Sequence, residues 1–195
     1  MKKWEKKIVA LGVVFTIVLL IRRATKDDVE LKQIKVKDVS KQLPRSKTKQ
    51  YSKRELLDID QIIVHHSATS GGSPTSFARH HVQTRGWPGI GYHYVISKDG
   101  KIYQTNDLDA ISYHTSGQNS RSIGICLTGN YDEEKPPSIQ LQQCAQLILA
   151  LDELLFNDLV VLGHRDFSAK SCPGDNFDLD HLKSMVAAYR NEVRA

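Results

Sequence analysis

Twelve residues near the C-terminus, Gly163 to Gly174, read Gly-His-Arg-Asp-Phe-Ser-Ala-Lys-Ser-Cys-Pro-Gly. They follow the apolar run Leu159-Val160-Val161-Leu162, which reads as a buried strand, so His164 falls where a strand gives way to a loop. Cys172 sits before Pro-Gly in a polar loop, where nothing apolar asks for a buried thiol. A borderline-soft ion such as zinc accepts imidazole nitrogen and thiolate sulfur together. A third ligand is available in Ile62-Ile63-Val64-His65-His66-Ser67, a second apolar run closing in histidine. Two strand ends can then gather His65, His164 and Cys172 around one ion, with the fourth tetrahedral position left to water. That is the pattern of catalytic rather than structural zinc. His66 points to the other side of an extended strand and reads as a packing or supporting residue. A closed structural site would need a fourth ligand near Cys172, and Asp175 is too close in sequence to serve comfortably.

These residues need a scaffold, and the pattern from Leu56 onward supplies one. Ile62 to His65 reads as a core strand. A Gly/Ser/Thr loop follows, then a helix around Thr75 to Thr84 with Ser73 as cap and Pro74 at its first position. After the turn-rich Gly86 to Gly91, the runs Tyr92 to Ser97 and Lys101 to Gln104 flank Asp99-Gly100 as a hairpin. Ser122 to Thr128 reads as a further central strand. Ile139 to Phe156 and Asp178 to Tyr189 carry helical periodicity. Strands alternating with helices, plus one hairpin, imply an α/β fold: a single domain with a mixed central β-sheet flanked by helices.

The chain has 195 residues, room for one well-cored domain and an appendage. Charge divides it: residues 1–50 hold 14 Lys/Arg and 5 Asp/Glu, whereas residues 51–195 hold 13 and 17. The folded part is therefore acidic on balance, which excludes a nucleic-acid interface there, because phosphate binding needs clustered positive charge. Three cysteines without framework spacing argue against a disulfide-built fold, and Cys126 and Cys144 read as small buried hydrophobes.

At the N-terminus, Ile8 to Ile21 is an uncharged apolar run between Met-Lys-Lys-Trp-Glu-Lys-Lys and Arg22-Arg23. As a helix it spans about 21 Å, and flanking basic side chains can snorkel to make up the rest of the hydrocarbon core. No small-x-small cleavage pattern follows, so residues 1–26 read as an uncleaved signal anchor. Residues 27–55, polar, lysine-rich and nearly free of aromatics, read as a tether. The catalytic domain is then 56–195. The basic residues before the apolar run weakly place that domain outside the cytoplasm, in the periplasm or cell envelope.

Taken together, Ile63-Val64-His65-His66-Ser67-Ala68-Thr69, Gly91-Tyr92-His93-Tyr94, His114 through Ser122-Ile123-Gly124-Ile125, and Gly163-His164-Arg165-Asp166 through Lys170-Ser171-Cys172-Pro173 resemble one family. It is the zinc-dependent N-acetylmuramoyl-L-alanine amidases of the amidase-2 type, which includes bacteriophage T7 lysozyme and the peptidoglycan recognition proteins. The resemblance covers most of residues 56–190. It implies a monomeric enzyme acting on peptidoglycan, cutting the amide between N-acetylmuramic acid and L-alanine, with Zn2+ on His65, His164 and Cys172. It assigns Tyr92 and Lys170 to the catalytic centre, where a phenol and an ammonium can stabilise a developing oxyanion. It also suggests that His114 lines the substrate groove and that Asn119 assists there, although a loop-capping role suits Asn119 equally. Trp87 reads as cover for the core more than as a sugar platform. His80, His81, His93 and His181 have no second ligand at a useful spacing and read as structural or exposed. A second reading of the same resemblance is a recognition module that binds peptidoglycan without cutting it, and Cys172 argues against that.

Overall fold

The computed structural model describes residues 34–194. Strands β1 (Val36–Asp38), β2 (Gln61–His66), β3 (Tyr94–Ile96), β4 (Ile102–Gln104), β5 (Ser122–Leu127) and β6 (Val160–Gly163) form one sheet in the order β1-β4-β3-β5-β2-β6. Only β3 and β4 run antiparallel, as the Asp-Gly hairpin requires, and every other neighbouring pair is parallel. The sheet is thus mixed, as expected, and its two six-residue inner strands, β2 and β5, are buried along their whole length. Buried parallel strands cannot alternate polar with apolar, which is why both read as near-continuous hydrophobic runs.

Helices cover both faces. On one side α2 (Ser138–Leu155) and α3 (Leu179–Arg194) pack over Ile62, Val64, Ile123, Ile125 and Leu127, contributing Cys144, Ile148, Leu151, Leu182 and Val186. On the other side α1 (Pro74–Gln83) brings Ala78 and Phe77 to a smaller cluster with Ile90, Val95 and Cys126. α1 starts where the sequence says it should: the Ser73 side chain accepts from Ser76 N and the Ser76 side chain accepts from Ser73 N, a capping box ahead of Pro74. α2 ends at Phe156, whose left-handed backbone (φ 52°) stops the helix. A charged clasp joins the second layer to the sheet: Arg190 donates to Asp152 (2.8 Å) and to Leu159 O (2.8 Å), while Leu159 N donates to Asp152 (2.9 Å).

The tether expected over 27–55 is corrected from residue 34 onward. Val36 to Asp38 is an edge strand parallel to β4, and Ile34, Val36, Val39 and Leu43 are all buried. Composition hid this, since every apolar residue there is separated from the next by lysines or other polar residues. The alternation Ile34-Lys35-Val36-Lys37 is nevertheless the period of a half-buried edge strand, with charge facing water. The folded domain therefore begins before residue 56. The expected anchor, 1–26, and the first part of the tether lie outside the described residues. Among the described residues no helix is long and apolar enough to cross a membrane.

Candidate active site

The pleat of β2 decides which histidine faces the site. Ile62, Val64 and His66 point to the α2/α3 side, where His66 Nδ1 accepts from Tyr131 N (3.1 Å). His65 points to the α1 side and is 2% exposed. The next strand over, β6, ends at Gly163, and His164 opens a single 3₁₀ turn, His164–Asp166, in which Asp166 accepts from Gly163 N (2.9 Å). The loop then doubles back. Arg165 N donates to Cys172 O (2.6 Å), and the Arg165 guanidinium donates to Gly174 O (3.2 Å) and Phe177 O (3.0 Å), so the loop is tied at three points. Gly174 has φ +118° and lies where a Cβ would come within 2.4 Å of the Tyr131 backbone, so no other residue fits that return.

His65, His164 and Cys172 are thereby brought together, each with a donor atom within 4.8 Å of the others. His65 Nδ1 lies 3.7 Å from Cys172 Sγ. That separation is close to the ~3.6 Å between a nitrogen and a sulfur ligand on one tetrahedral zinc. The His164 ring makes no hydrogen bond to protein among the described residues, so its nitrogens are free for another partner. Two imidazoles and a thiol, converging and mostly buried, suit a borderline-soft divalent ion in the chemistry of the donor set. Burial, and after it the charges of His164 and His66, holds His65 well below the usual histidine range. His164 is lowered by burial, then by the Lys170 ammonium. Both rings are therefore neutral, the form a metal requires. Burial pushes the Cys172 thiol up to about 11, and a bound dication would reverse that by taking the thiolate.

Around these three residues lies a groove of about 490 Å³, lined by Tyr92, Trp87, Tyr113, Arg85, Asp132 and Lys170 among others. Tyr92 and Lys170, the expected catalytic pair, both reach it. The Tyr92 ring stands 5.3 Å from the His65 ring, and its phenol is raised well above its ordinary value by burial, then by the Cys126 and Cys172 thiols, so it is a hydrogen-bond donor at neutral pH. Cys126 is buried as expected, although beside Tyr92 rather than in purely apolar company. Trp87 is corrected from core cover to groove wall, its ring 4.7 Å from His81 and 5.9 Å edge-on to Tyr113. His81 is structural, accepting from Gly91 N (3.0 Å), with burial lowering its pKa to about 4.

His114 lines the groove, as expected, and Asn119 takes the second of the two roles open to it, the loop cap. His114 is buried behind His65, with only 8% of its surface exposed, and both ring nitrogens are engaged inside the protein. Its Nδ1 meets His65 Nε2 at 3.2 Å and Thr115 Oγ1 at 3.1 Å, and its Nε2 meets Ser122 Oγ at 3.2 Å. With Nδ1 of His65 turned toward Cys172, the tautomer protonated at Nε2 would donate to His114 Nδ1, so His114 is placed to hold the His65 ring. Asn119 caps the loop, its Oδ1 accepting from His114 N (3.1 Å) and Thr115 N (2.7 Å). Thr115, also 3.4 Å from His65 Nε2, escapes sequence reasoning; its position next to a histidine was the one signal. His93, which read as structural, is fully buried and accepts from Gly124 N (3.0 Å).

The chain belongs to the N-acetylmuramoyl-L-alanine amidase family, whose model matches residues 55–175, and it is an amidase enzyme. Among its relatives is the endolysin of Klebsiella phage KP32, 34% identical over 137 residues that cover 67% of this chain and 87% of the endolysin. A similar solved structure is the N-acetylmuramoyl-L-alanine amidase LysC from Clostridium intestinale URNW, with TM-score 0.67 and 27% identity over 78% of this chain and 97% of that one. Another, with TM-score 0.64 and 27% identity over 73% of this chain and 91% of the other, is the complex of peptidoglycan recognition proteins LCa and LCx with tracheal cytotoxin bound.

Proposed function

We propose that this enzyme hydrolyses the amide between the lactyl group of N-acetylmuramic acid and the L-alanine of the stem peptide, with a zinc ion held by His65, His164 and Cys172. The observation that carries the reading is the convergence of these three donors in one groove beside Tyr92 and Lys170. A zinc ion bound there supplies Lewis-acid polarisation of the scissile carbonyl and acidifies water. The chain's own groups do the rest. His65 and His164, neutral through burial, present lone pairs without first losing a proton. His114 and Thr115 keep the His65 ring from turning. As the carbonyl carbon becomes tetrahedral, the Tyr92 hydroxyl donates to the oxygen on which negative charge accumulates, and the Lys170 ammonium stabilises the same charge across a partly desolvated groove. Trp87 and Tyr113 offer an aromatic wall against which a sugar ring or a stem-peptide methyl can lie.

The same reading keeps residues 1–26 as a membrane anchor and the catalytic domain in the cell envelope, on the strength of the apolar run Ile8 to Ile21 and its basic flanks. Reporter fusions at the C-terminus test it, and activity confined to the cytoplasm would refute that location.

The deciding experiment incubates the protein with purified peptidoglycan, with and without chelator, and identifies new ends by mass spectrometry. Free L-alanine amino termini that disappear with chelator and in Cys172→Ala are the expected result. Intact wall with measurable binding would move the chain to the recognition class instead.

A further inference from the structure

The segment Gly86 to Tyr92 carries two groove residues, Trp87 and Tyr92, yet it has no regular secondary structure and hence no ladder to satisfy its carbonyl groups. Carbonyls of such a segment need partners from elsewhere, and here most come from the segment thought to be a tether. Lys49 Nζ donates to Gly86 O (2.6 Å), Ser46 N to Pro88 O (2.8 Å), and the Tyr51 hydroxyl lies within donating distance of both Gly89 O (2.9 Å) and Ile90 O (3.0 Å). Asn106 continues the series: its Nδ2 donates to Ile90 O (2.8 Å) and Tyr92 O (2.5 Å). Asn106 is 1% exposed, and the orientation of its amide is fixed by Arg45, whose Nη1 donates to Asn106 Oδ1 (2.6 Å) while Nη2 donates to Thr105 O (2.8 Å). Arg45 in turn lies directly on Gly89, where a Cβ would come within 2.4 Å of Nη1. The Tyr51 ring also stands 5.0 Å edge-on to Tyr113, which faces Trp87 across the groove wall.

We propose that Arg45–Tyr51, which lies N-terminal to the region the family model matches, is a brace that positions Tyr92 and Trp87 for amide hydrolysis. Its catalytic part rests on the role given to Tyr92 above. The brace acts through backbone carbonyls and touches neither the metal-binding donors nor the substrate, so Arg45 and Tyr51 are positioning residues. Losing either lets the 86–92 segment shift. Metal binding, which depends on β2 and the loop after β6, is untouched.

The test uses the full chain with Trp4→Phe, so that emission reports on Trp87, the other of the two tryptophans. Tyr51→Phe removes one hydroxyl and keeps the ring, and Arg45→Ala removes the fork that orients Asn106. Each is expected to make Trp87 more accessible to acrylamide and to lower kcat on a soluble muramyl peptide roughly five- to tenfold, the loss of about one hydrogen bond's worth of positioning. Zinc content and KM should change little. In a double variant with Tyr92→Phe, the loss should be no greater than for Tyr92→Phe alone, because the brace works through that residue. Unchanged quenching, unchanged kcat, or a double variant in which the losses multiply overturns the proposal; Tyr51→Phe guards against Arg45→Ala simply unfolding. If Tyr92→Phe itself retains full activity, the catalytic role of Tyr92 is what fails, and the quenching of Trp87 alone decides whether the brace exists.

Discussion

Gly124→Ala puts the support of His65 to the test. Gly124 lies mid-strand in β5, beside Ile63, and a Cβ there would fall 2.5, 2.8 and 2.9 Å from Cγ, Cδ2 and Cβ of His114. All three are atoms at the base of the side chain, so the clash cannot be relieved by moving a flexible tip. The ring cannot rotate away either without giving up Ser122, Thr115 and His65. Two costs follow. Overpacking of a tight core costs about 1–3 kcal/mol of stability. Loss of the bond from His65 Nε2 to His114 Nδ1 leaves His65 unoriented, and disrupting such a partner lowers metal affinity about 10- to 100-fold. Stability is read by urea denaturation of the metal-free protein, and affinity by competition for zinc against a chromophoric chelator. His114→Gln is the companion, because it removes the ring without adding bulk. Both variants should weaken zinc binding, and only Gly124→Ala should lose stability chiefly through strain. Zinc affinity equal to wild type in both would refute the idea that His114 orients a ligand. Wild-type stability in Gly124→Ala would show that the glycine's tight fit is wrong.

Three further outcomes are expected. Burial holds His93 down to about 3 and His81 down to about 4 in the folded chain, while both return to ordinary values on unfolding. The unfolded state therefore binds protons first as pH falls below ~6.5, and stability should drop by roughly 1.4 kcal/mol per pH unit for each group until the folded-state values are reached; denaturation midpoints equal at pH 7 and pH 5 would contradict this. Tyr92→Phe and Lys170→Ala should each reduce kcat roughly 10- to 100-fold with zinc stoichiometry intact, and loss of the metal instead would show that they act on the site's assembly. Arg190→Ala removes the partner of Asp152 and the donor to Leu159 O, so it should destabilise the fold by about 3 kcal/mol in chemical denaturation without altering zinc affinity.

The elements most legible in the sequence are those whose signal is local. The Ser73 cap and Pro74 at the start of α1, the Asp-Gly hairpin and the apolar runs of β2, β5 and β6 sit within a residue or two of expectation, because caps, turn chemistry and buried parallel strands leave their mark in a few consecutive residues. The three donors were legible for the same reason: each closes an apolar run or precedes a proline. What could not be read depends on contacts distant in sequence. The direction of the His114 ring is decided by Gly124 and Ser122 across the sheet, and the fate of residues 34–55 by an edge of β4 that their own composition does not advertise. Lysine-rich stretches average to a disordered composition even when the apolar residues set among the lysines are buried.

The consecutive histidines of β2 carry a consequence for how the strand finds its place. A slip of one residue against β5 and β6 would still present an imidazole to the site, His66 in place of His65, so the ion could not by itself distinguish the right pairing from the wrong one. Discrimination must come from the opposite layer: the same slip would turn Ile62 and Val64 out of the main cluster, put His65 into it in Val64's place and leave Ser67 beside Tyr131. Correct registration of the metal ligand is thus enforced by apolar side chains that never approach it.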